Sequence, residues 1–451
     1  MFHIKTMISG KCVVNRRQYA KLISNGDKFI LFGGSMADIL MIADDMTGAL
    51  DSGVMFRRNA IDTEVLIDRA ADFTSLLSLH TAVVVNAETR HLPPQQAYEA
   101  VYELASRAWE LGIPYLYKKT DSALRGNIGA ELEAVLRASG QSTIHFAPAF
   151  PQQHRTTVGG IQYIDGVPLH QSPFAQDPLN PMTSACIPHI IAETSQVPVC
   201  KGGELPSRTP CIQLYDAETE KDLEEIARRA LFQEDGRVFA GCAGFIGELS
   251  KWMHMGKTPV DSPCVSGPLM VFCGSLHEQS RRQFELAERA GIRRFSLDAR
   301  MLSDPAFWKS DSCGRLVETL RNLLAENSSF LFCPIGEAGE MYPGERACIS
   351  QRLPDAIARL ICSVLDGNGS GIPMIIGGDT LGAFLRFTGT TRVRPIREVR
   401  TGVVLAEAVD GRFHIPFIAK AGSFGEDTLL LDLFTANGAG KPSDKRITAL
   451  S

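Results

Sequence analysis

Two adjacent carboxylates at the end of an apolar run are the first residues whose chemistry requires an explanation. Asp44 and Asp45 follow the apolar run at 39–43, and Asp51 lies in the helix-like segment that comes next. One acid is enough to cap a helix, where it contributes about 0.5–2 kcal/mol. A second acid at the end of a strand is available to bind a substrate hydroxyl, bind a metal ion or accept a proton. The pair therefore predicts a functional site.

A second polar cluster follows another apolar run, at 114–119, and combines both signs of charge with hydroxyl groups. Its members are Lys118, Lys119, Thr120, Asp121, Ser122, Arg125 and Asn127. The planar guanidinium of arginine suits bidentate pairing with a carboxylate, and Asp121 is available to accept a hydrogen bond from a hydroxyl. A solvated loop with its own capping residues is the alternative. The composition favours a site for an anionic, polyhydroxylated ligand, and Arg90, after the third strand, adds weak support.

The segment 147–182 is rich in proline, glycine and glutamine and has no long periodic stretch. A loop of this length inside a compact domain is either functional or disordered. The aromatic and apolar residues spaced through it favour an ordered, functional loop. Within it, the sequence HRTTVGG places Arg155 beside two hydroxyls and two glycines, a combination that can hold an oxyanion. His154 alone is more typical of a structural or surface histidine.

Three glycine-bearing turns in the second half of the chain are candidates for a phosphate site. They are FCGSLHEQS at 272–280, IIGGDTLG at 375–382 and KAGSFGEDTLL at 420–430. Each is predicted to follow a strand and open a helix, and a helix N-terminus presents free amides and a partial positive charge. One such turn is a weak signal, but three together predict a nucleotide site. Neither a Walker sequence nor a Rossmann fingerprint occurs where one is expected, which argues against the alternative of a nicotinamide-dependent dehydrogenase.

The elements that must position these residues alternate between strand and helix. Apolar runs at 39–43, 63–67, 81–87 and 114–119 predict buried strands, and helical spacing at 97–112 and 128–139 predicts helices. This order predicts the α/β class, with two α/β domains, mostly parallel sheets and ligands at the carboxyl ends of the strands. The expected division is an N-terminal extension at 1–36, an acid-binding domain at 37–260 and a nucleotide-binding domain at 261–451. A linker is expected at 257–268, and the active-site cleft is expected between the two domains.

Bulk composition excludes several classes of protein. The chain has 451 residues, 44% of them hydrophobic and 22% charged, with a formal charge of -5, which gives no reason to expect a nucleic acid partner. Eleven cysteines without a CxxC pair favour reduced thiols and a cytoplasmic protein. Apolar runs fall short of the roughly 18–20 residues that span a membrane. The basic residues of 1–26 resemble a transit peptide, but a natural start at Met36 after an upstream extension is favoured.

With these motifs in view, the chain resembles the four-carbon acid sugar kinase family. These two-domain enzymes use ATP to phosphorylate D-threonate, D-erythronate or 3-oxo-tetronate at the 4-hydroxyl. The likeness rests on IADDMTGALDSGV, YKKTDSALRGNIGAE, PAFPQQHRTTVGGIQYIDGVPL, FAQDPLNPM, CGSLHEQSRRQ, GGDT and KAGSFG, in family order from about Ile39 to Asp432. The segment KKTDSALRGN resembles the corresponding segment of the D-threonate and D-erythronate kinases more than that of the 3-oxo-tetronate kinases. Two positions depart from the family pattern, since His154 and Ser423 stand where glycine is common.

The resemblance implies two sets of ligand contacts. By resemblance, the acid sugar is expected to contact Asp45, Arg90, Lys119, Thr120, Asp121 and Ser122. The residue types in the same motifs add Asp44, Arg125 and Arg155 to the expected contacts. ATP is expected to contact Ser275, Gly377, Gly378, Asp379, Thr380 and Gly422, with Mg²⁺ arriving on its phosphates and no separate metal site. Asp121 or Asp45 is expected to accept the proton of the reacting hydroxyl, and Asp121 is favoured because adjacent lysines keep it ionised. A catalytically inactive binding protein with a regulatory role is the alternative, and a homodimer is one option for the oligomeric state.

Overall fold

The structure of the protein is a computed structural model, which describes 37–177, 180–203, 209–233, 236–253, 255–256, 267–275, 277–335, 343–367 and 371–436, with short strands at 23–24 and 29–30. The predicted N-terminal extension at 1–36 lies almost entirely outside the described residues. Most of the predicted linker at 257–268 lies outside them as well.

The first half of the chain alternates strands and helices as its sequence predicts. Its strands are β1 (Ile23–Ser24), β2 (Phe29–Ile30), β3 (Ile39–Ala43), β4 (Thr63–Leu66), β5 (Ala82–Asn86), β6 (Tyr115–Lys119), β7 (Thr143–Ala147), β8 (Arg155–Val158), β9 (Ile161–Ile164), β10 (Val167–Pro168), β11 (Val199–Lys201), β12 (Cys211–Leu214) and β13 (Val238–Gly241). Its helices are α1 (Met46–Arg58), α2 (Thr74–Leu77), α3 (Pro94–Glu110), α4 (Ile128–Ser139), α5 (Ile187–Ala192), α6 (Glu220–Leu231) and α7 (Ala243–Trp252), with 3-10 turns at Pro151–Gln153, Leu169–Gln171 and Pro173–Gln176. The four predicted strands and both predicted helices are confirmed to within about three residues at their ends.

The second half continues the alternation. Its strands are β14 (Leu269–Cys273), β15 (Arg293–Asp298), β16 (Phe330–Ile335), β17 (Ile372–Ile376), β18 (Arg392–Arg400), β19 (Val403–Ala408) and β20 (Pro416–Lys420). Its helices are α8 (Glu278–Arg289), α9 (Ala299–Ser303), α10 (Asp311–Ala325), α11 (Pro343–Leu365), α12 (Gly378–Phe387) and α13 (Leu429–Ala436), with a 3-10 turn at Phe307–Lys309. The strands β3, β5, β14 and β17 are buried along their whole length, as their unbroken apolar sequences require in a sheet covered on both faces.

One sheet of fifteen strands runs through both halves, so the two predicted sheets are continuous with each other. Its order is β11-β12-β7-β13-β6-β3-β5-β4-β18-β19-β20-β17-β14-β16-β15. Neighbouring strands are parallel except for three consecutive antiparallel pairs, β4–β18, β18–β19 and β19–β20. Strands β18 and β19 form the joining hairpin between the two halves, and β18 covers an edge of β4 that would otherwise expose unpaired backbone groups.

The joining hairpin also determines where the strand ends lie. Because three antiparallel pairs separate the halves, the parallel strands on one side run opposite to those on the other. In a flat sheet their carboxyl ends would therefore lie at opposite edges. Strand β18 shifts register twice against β19, between Pro395 and Arg397 and between Glu398 and Arg400, and such irregularities bend a strand and increase its twist. Helix α1 packs against strands on both sides of the hairpin and against α12.

The loop-rich segment 147–182 is ordered over its described residues, as predicted. It forms a separate three-stranded sheet in the order β10-β9-β8, followed by two short 3-10 turns. Phe174, in the last of these turns, is 4% exposed. Eight cysteines are reduced thiols: Cys186, Cys200, Cys211, Cys242, Cys273, Cys313, Cys333 and Cys362. In the same part of the chain, no helix combines the length and the apolar character needed to cross a membrane.

Candidate active site

Asp45 caps helix α1 and binds a cation at the same time. Its Oδ1 accepts a hydrogen bond of 2.8 Å from the Gly48 amide, and its Oδ2 accepts one of 2.7 Å from the Thr47 hydroxyl. Arg90 Nη1 donates to the same Oδ2 at 2.9 Å. Burial alone would raise the pKa of Asp45, but the charges of Arg90 and Lys119 outweigh burial and lower it. The acid predicted to be functional is therefore also the cap, and both of its oxygens are engaged.

Arg90 forms ion pairs with acids that follow two neighbouring strands, β3 and β6. Besides Asp45, it contacts Asp44, whose Oδ2 accepts a hydrogen bond of 2.8 Å from Nε, and Asp121, whose Oδ1 lies 3.4 Å from Nη2. Burial would lower the pKa of Arg90, but the carboxylates of Asp44, Asp45 and Asp121 raise it well above its usual value. The guanidinium thus binds the chain's own acids, and in this arrangement it positions the ends of β3 and β6.

Asp121 forms a two-point ion pair with Arg125. Its Oδ2 accepts from Arg125 Nε at 2.9 Å, and its Oδ1 accepts from Nη2 at 3.0 Å. The amide of Ala123 donates a further bond of 3.1 Å, and Arg125 also reaches Asp177 at 3.0 Å. Burial would raise the pKa of Asp121, but Arg125 and Arg90 together hold it far below its usual range. A carboxylate held in this way is a weak proton acceptor, which disfavours the role that the sequence suggested for it.

The two adjacent lysines of β6 point to opposite faces of the sheet, as successive strand residues must. Lys118 is fully buried, and its Nζ lies 3.0 Å from Glu131 Oε2 on α4. Lys119 points the other way, over α1, where a Cβ added to Gly48 would lie 2.9 Å from its Nζ. Lys119 therefore belongs to the site, whereas Lys118 supports the packing of α4.

Three other members of the predicted cluster differ in their surroundings. Asn127 donates to the carbonyls of Thr89, at 3.0 Å, and Leu92, at 2.9 Å, and so holds the loop that carries Arg90. Thr120 is buried, and its hydroxyl has no hydrogen-bond partner among the described residues. Ser122 lies in the wall of the cavity beside Asp121.

Arg155 lies beside this cluster with few partners of its own. Its side chain is 5% exposed, its Nη1 is 3.5 Å from Asp165, and its Nε has no partner in the described part of the chain. Its Cζ lies 5.6 Å from the centroid of the Phe174 ring, and that of Arg125 lies 5.2 Å from it. The loop predicted to be functional thus brings a poorly paired guanidinium to the flank of the site.

The three glycine turns of the second half meet at the carboxyl ends of β14, β17 and β20. A Cβ on Gly274 would collide with the Thr380 hydroxyl, and one on Gly422 would collide with the Ser275 hydroxyl. Gly377 has φ +115°, a conformation that favours glycine. The turns can therefore pack against one another because these positions lack side chains.

The two predicted ligand sets meet at the N-termini of α1 and α12. A Cβ on Gly378 would lie 3.1 Å from Asp45 Oδ2 and 3.2 Å from Thr47 Oγ1. Asp379, also in the first turn of α12, is exposed. The start of α1 and the start of α12 therefore lie together, although the strands that precede them run in opposite directions.

A cavity of about 570 Å³, part of it open to solvent, lies at this meeting point. The first half contributes Asp45, Asp51, Lys119 and Asp121 to its wall, and the second half contributes Lys420 and Ser423. The predicted nucleotide contacts are not among the lining residues, although Ala421 and Ser423, on either side of Gly422, are.

Lys420 and Asp51 are cavity residues that the two expected sets of ligand contacts omit, although both lie in motifs that the sequence identifies. Burial lowers the pKa of Lys420 to about 7, and its Nζ donates to the carbonyls of Ala421, at 3.0 Å, and Gly422, at 3.3 Å. A lysine at a strand end before a glycine turn is a usable signal for such a site. The signal for Asp51 is its spacing from Gly48. Residues three apart on a helix share a face, so Asp51 lies on the same face of α1 as Gly48, which borders Lys119.

Two family models match most of the chain. Residues 39–249 match the sugar-binding N-terminal domain, and residues 270–430 match the nucleotide-binding C-terminal domain. The boundary between the two matches lies in the region that includes the predicted linker.

Individual relatives match over nearly their full length. A D-threonate kinase from Salmonella typhimurium strain LT2 is 30% identical over 421 residues, which cover 87% of this chain and 97% of the relative. A D-erythronate kinase from Heliobacterium modesticaldum is 27% identical over 426 residues, 86% of this chain and 94% of the relative. The crystal structure of a Haemophilus influenzae protein of family DUF1537 has the same fold, with a TM-score of 0.60 at 20% identity, covering 88% of this chain and all of that one. The protein belongs to the four-carbon acid sugar kinase family.

Proposed function

We propose that the protein is an ATP-dependent kinase that phosphorylates the 4-hydroxyl of a four-carbon sugar acid. D-threonate and D-erythronate are the favoured substrates, and 3-oxo-tetronate is the third candidate. The observation that carries this proposal is the approach of Gly378 to Asp45, which brings one glycine turn to the charged cluster. The turn that follows Lys420 lines the cavity beside the same cluster. Phosphoryl transfer depends on holding the acceptor hydroxyl and the phosphate within a few Å of each other.

The sugar acid is assigned to the domain at 37–260 and ATP to the domain at 261–451. Matches to a sugar-binding and a nucleotide-binding family model support this division. In-line transfer then takes place where α1 of the first domain faces α12 of the second.

The carboxylate of the sugar acid is assigned to Lys119 and Arg155. Arg90 and Arg125 are occupied by acids of the chain, whereas Arg155 Nε has no partner among the described residues. A buried, unpaired guanidinium N–H is costly, and a ligand carboxylate would satisfy it. This assignment keeps the substrate's negative end on the first-domain side of the cavity, away from the ATP phosphates.

The ATP phosphates are assigned to the three glycine turns and to Lys420. Helices α8 and α12 begin at two of these turns, so the backbone amides of their first turns are available to donate hydrogen bonds to a phosphate. Lys420 gains a proton readily when an anion arrives, because burial has brought its pKa to about 7.

Mg²⁺ would enter on the phosphates of ATP and neutralise part of their charge. No group of three or more His, Cys, Asp or Glu side chains in the described part of the chain could hold a metal ion. Asp45 is already engaged by Arg90 and by the cap of α1. The residues present therefore fit a metal held chiefly by phosphate oxygens.

The decisive experiment is an assay of ADP release with ATP, Mg²⁺ and each of the three acids. The proposal expects rapid release with one of them and a product phosphorylated at the 4-hydroxyl. An inactive binding protein would instead bind ATP and the acid without releasing ADP. The presence of the acids and glycines of both ligand sets argues against that alternative.

A further inference from the structure

Asp51 is a buried carboxylate in the cavity wall with an unexplained oxygen. It lies three residues beyond Gly48 and four beyond Thr47, so the three share the face of α1 that lines the cavity. The residue is 7% exposed, and its Oδ1 has no hydrogen-bond partner among the described residues. A buried carboxylate oxygen without a partner is costly, so its position requires a reason.

The charged groups around Asp51 come from several elements. Lys119 faces it from β6, Glu398 from β18, Asp45 from the start of α1 and the Cys242 thiol from the start of α7. Lys420, at the end of β20, lines the same cavity. Burial raises the pKa of Asp51 to about 7; Lys119 opposes this shift, and Glu398 and Asp45 add to it.

We infer that Asp51 accepts the proton of the reacting hydroxyl, an assignment that rests on the proposed kinase function. In the transfer, the hydroxyl O–H bond breaks and its proton moves to the Asp51 carboxylate. The hydroxyl oxygen forms a bond to the γ-phosphorus of ATP, and the bond from that phosphorus to the bridging oxygen breaks. The bridging oxygen keeps the electron pair and leaves with ADP. Asp51 then returns the proton to water after the products depart.

The other two acids of the cavity are less suited to this task. Asp121 is paired at both oxygens with Arg125, and Asp45 is engaged by Arg90 and by the cap of α1. A general base works best when its pKa is near the working pH and its oxygen is free to receive the proton. Asp51 meets both conditions in the described structure.

Asp51→Asn tests the assignment, because it preserves shape and removes the proton acceptor. With the acid that gives the fastest ADP release, we expect kcat to fall by about 10²–10⁴-fold, the usual contribution of a general base. The KM values for ATP and the acid should stay within about threefold. Asp355→Asn, at an exposed position on α11, is the matched control and should keep kcat.

The pH dependence supplies a second, independent readout. Since the carboxylate must be ionised to accept a proton, kcat of the wild type should rise with pH through about 7, and the residual rate of Asp51→Asn should not. Folding is checked by thermal unfolding at pH 8. The pKa of Asp51 is higher in the folded protein than in the unfolded chain, so the free energy of unfolding of the wild type falls as pH rises from the unfolded pKa to about 7. Asp51→Asn carries no charge at this position, so at pH 8 it should be at least as stable as the wild type.

Each result has a distinct meaning. If the wild type releases ADP but Asp51→Asn keeps a near-normal kcat, the assignment of Asp51 is wrong and the kinase function stands. A wild-type kcat that does not change with pH around neutrality also overturns the assignment, even if the variant fails to fold. If the wild type releases no ADP with any of the three acids, the proposed function fails, and the role of Asp51 fails with it.

Discussion

At the scale of single residues, His154 and Ser423 are the two positions that the resemblance marks as departures from a glycine, and their backbone conformations differ. His154 has φ +53°, in the left-handed region that costs a non-glycine residue about 1–2 kcal/mol. Its side chain is exposed. Ser423 is not among the residues with positive φ, so its backbone conformation suits any side chain.

We therefore expect His154→Gly to raise the free energy of unfolding by about 0.5–1 kcal/mol, after allowing for the greater flexibility of glycine in the unfolded chain. Urea unfolding measures the change. Ser423→Gly is the control and should give no gain. A loss of stability in His154→Gly would mean that the histidine side chain makes a contact that outweighs the backbone strain.

Arg90 illustrates how one cation can determine the position of several acids. Arg90→Ala should lower the free energy of unfolding at pH 7 by about 3–5 kcal/mol, because buried carboxylates lose their partner. Arg90 lowers the pKa of Asp45 and Asp121, so its stabilising effect is present when they are ionised and is lost as pH falls. The difference between variant and wild type should therefore hold from pH 7 to about pH 4 and shrink at lower pH, because Asp45 and Asp121 take up protons in the variant before they do in the wild type. A difference that does not change with pH would show that Arg90 acts through packing alone.

At the scale of elements, the glycine turns are contacts between strand ends as well as candidate phosphate sites. Gly422→Ala would place a methyl group against the Ser275 hydroxyl. We expect a rise of about tenfold or more in KM for ATP, since a shift of about 1 Å at such a site costs that much or more. The KM for the acid sugar should change little. Gly314→Ala on α10, where an added Cβ meets nothing within 4 Å, is the control. Equal losses for both ligands would indicate that the turn supports the closure of the cavity and not ATP alone.

At the scale of the whole molecule, the junction between β4 and β18 joins the halves of the sheet. Glu64 on β4 is almost fully buried and lies 3.3 Å from Arg392 and 3.5 Å from Arg394, both on β18. His80 Nε2 lies 3.3 Å from the same carboxylate. The ion pairs thus cross the junction between a buried carboxylate and two partly exposed arginines.

Glu64→Gln should lower the free energy of unfolding by about 1–3 kcal/mol, because it removes the charge while keeping the shape. We also expect kcat to fall severalfold, since the junction holds the two ligand sets at a fixed separation. Chemical unfolding and the ADP assay measure the two effects. Glu103→Gln, at an exposed position on α3, should change neither. An unchanged kcat in Glu64→Gln would show that α1 alone is sufficient to hold the halves together.

Local features of the fold follow from the sequence because they depend on neighbouring residues. The apolar run at 39–43 and the helical spacing at 128–139 identify β3 and α4, since strand and helix periods are properties of adjacent side chains. Turns such as Gly377–Thr380 are recognisable for the same reason. Motif order along the chain was sufficient to indicate the family.

The partners of the charged groups were decided by the tertiary structure. Lys118 and Lys119 are adjacent residues of the same type, and the sequence does not distinguish them. The packing of α4 on one face of β6 and α1 on the other makes Lys118 structural and places Lys119 in the site. Asp121 looked like the best base because lysines precede it, but the ion pair with Arg125 lowers its pKa. Nothing in the sequence around Asp51 indicates a shifted pKa, because the shift arises from burial beneath elements distant in sequence. Desolvation and pairing depend on the whole fold, so the types and spacing of residues identified the site while three-dimensional packing set the properties of each group.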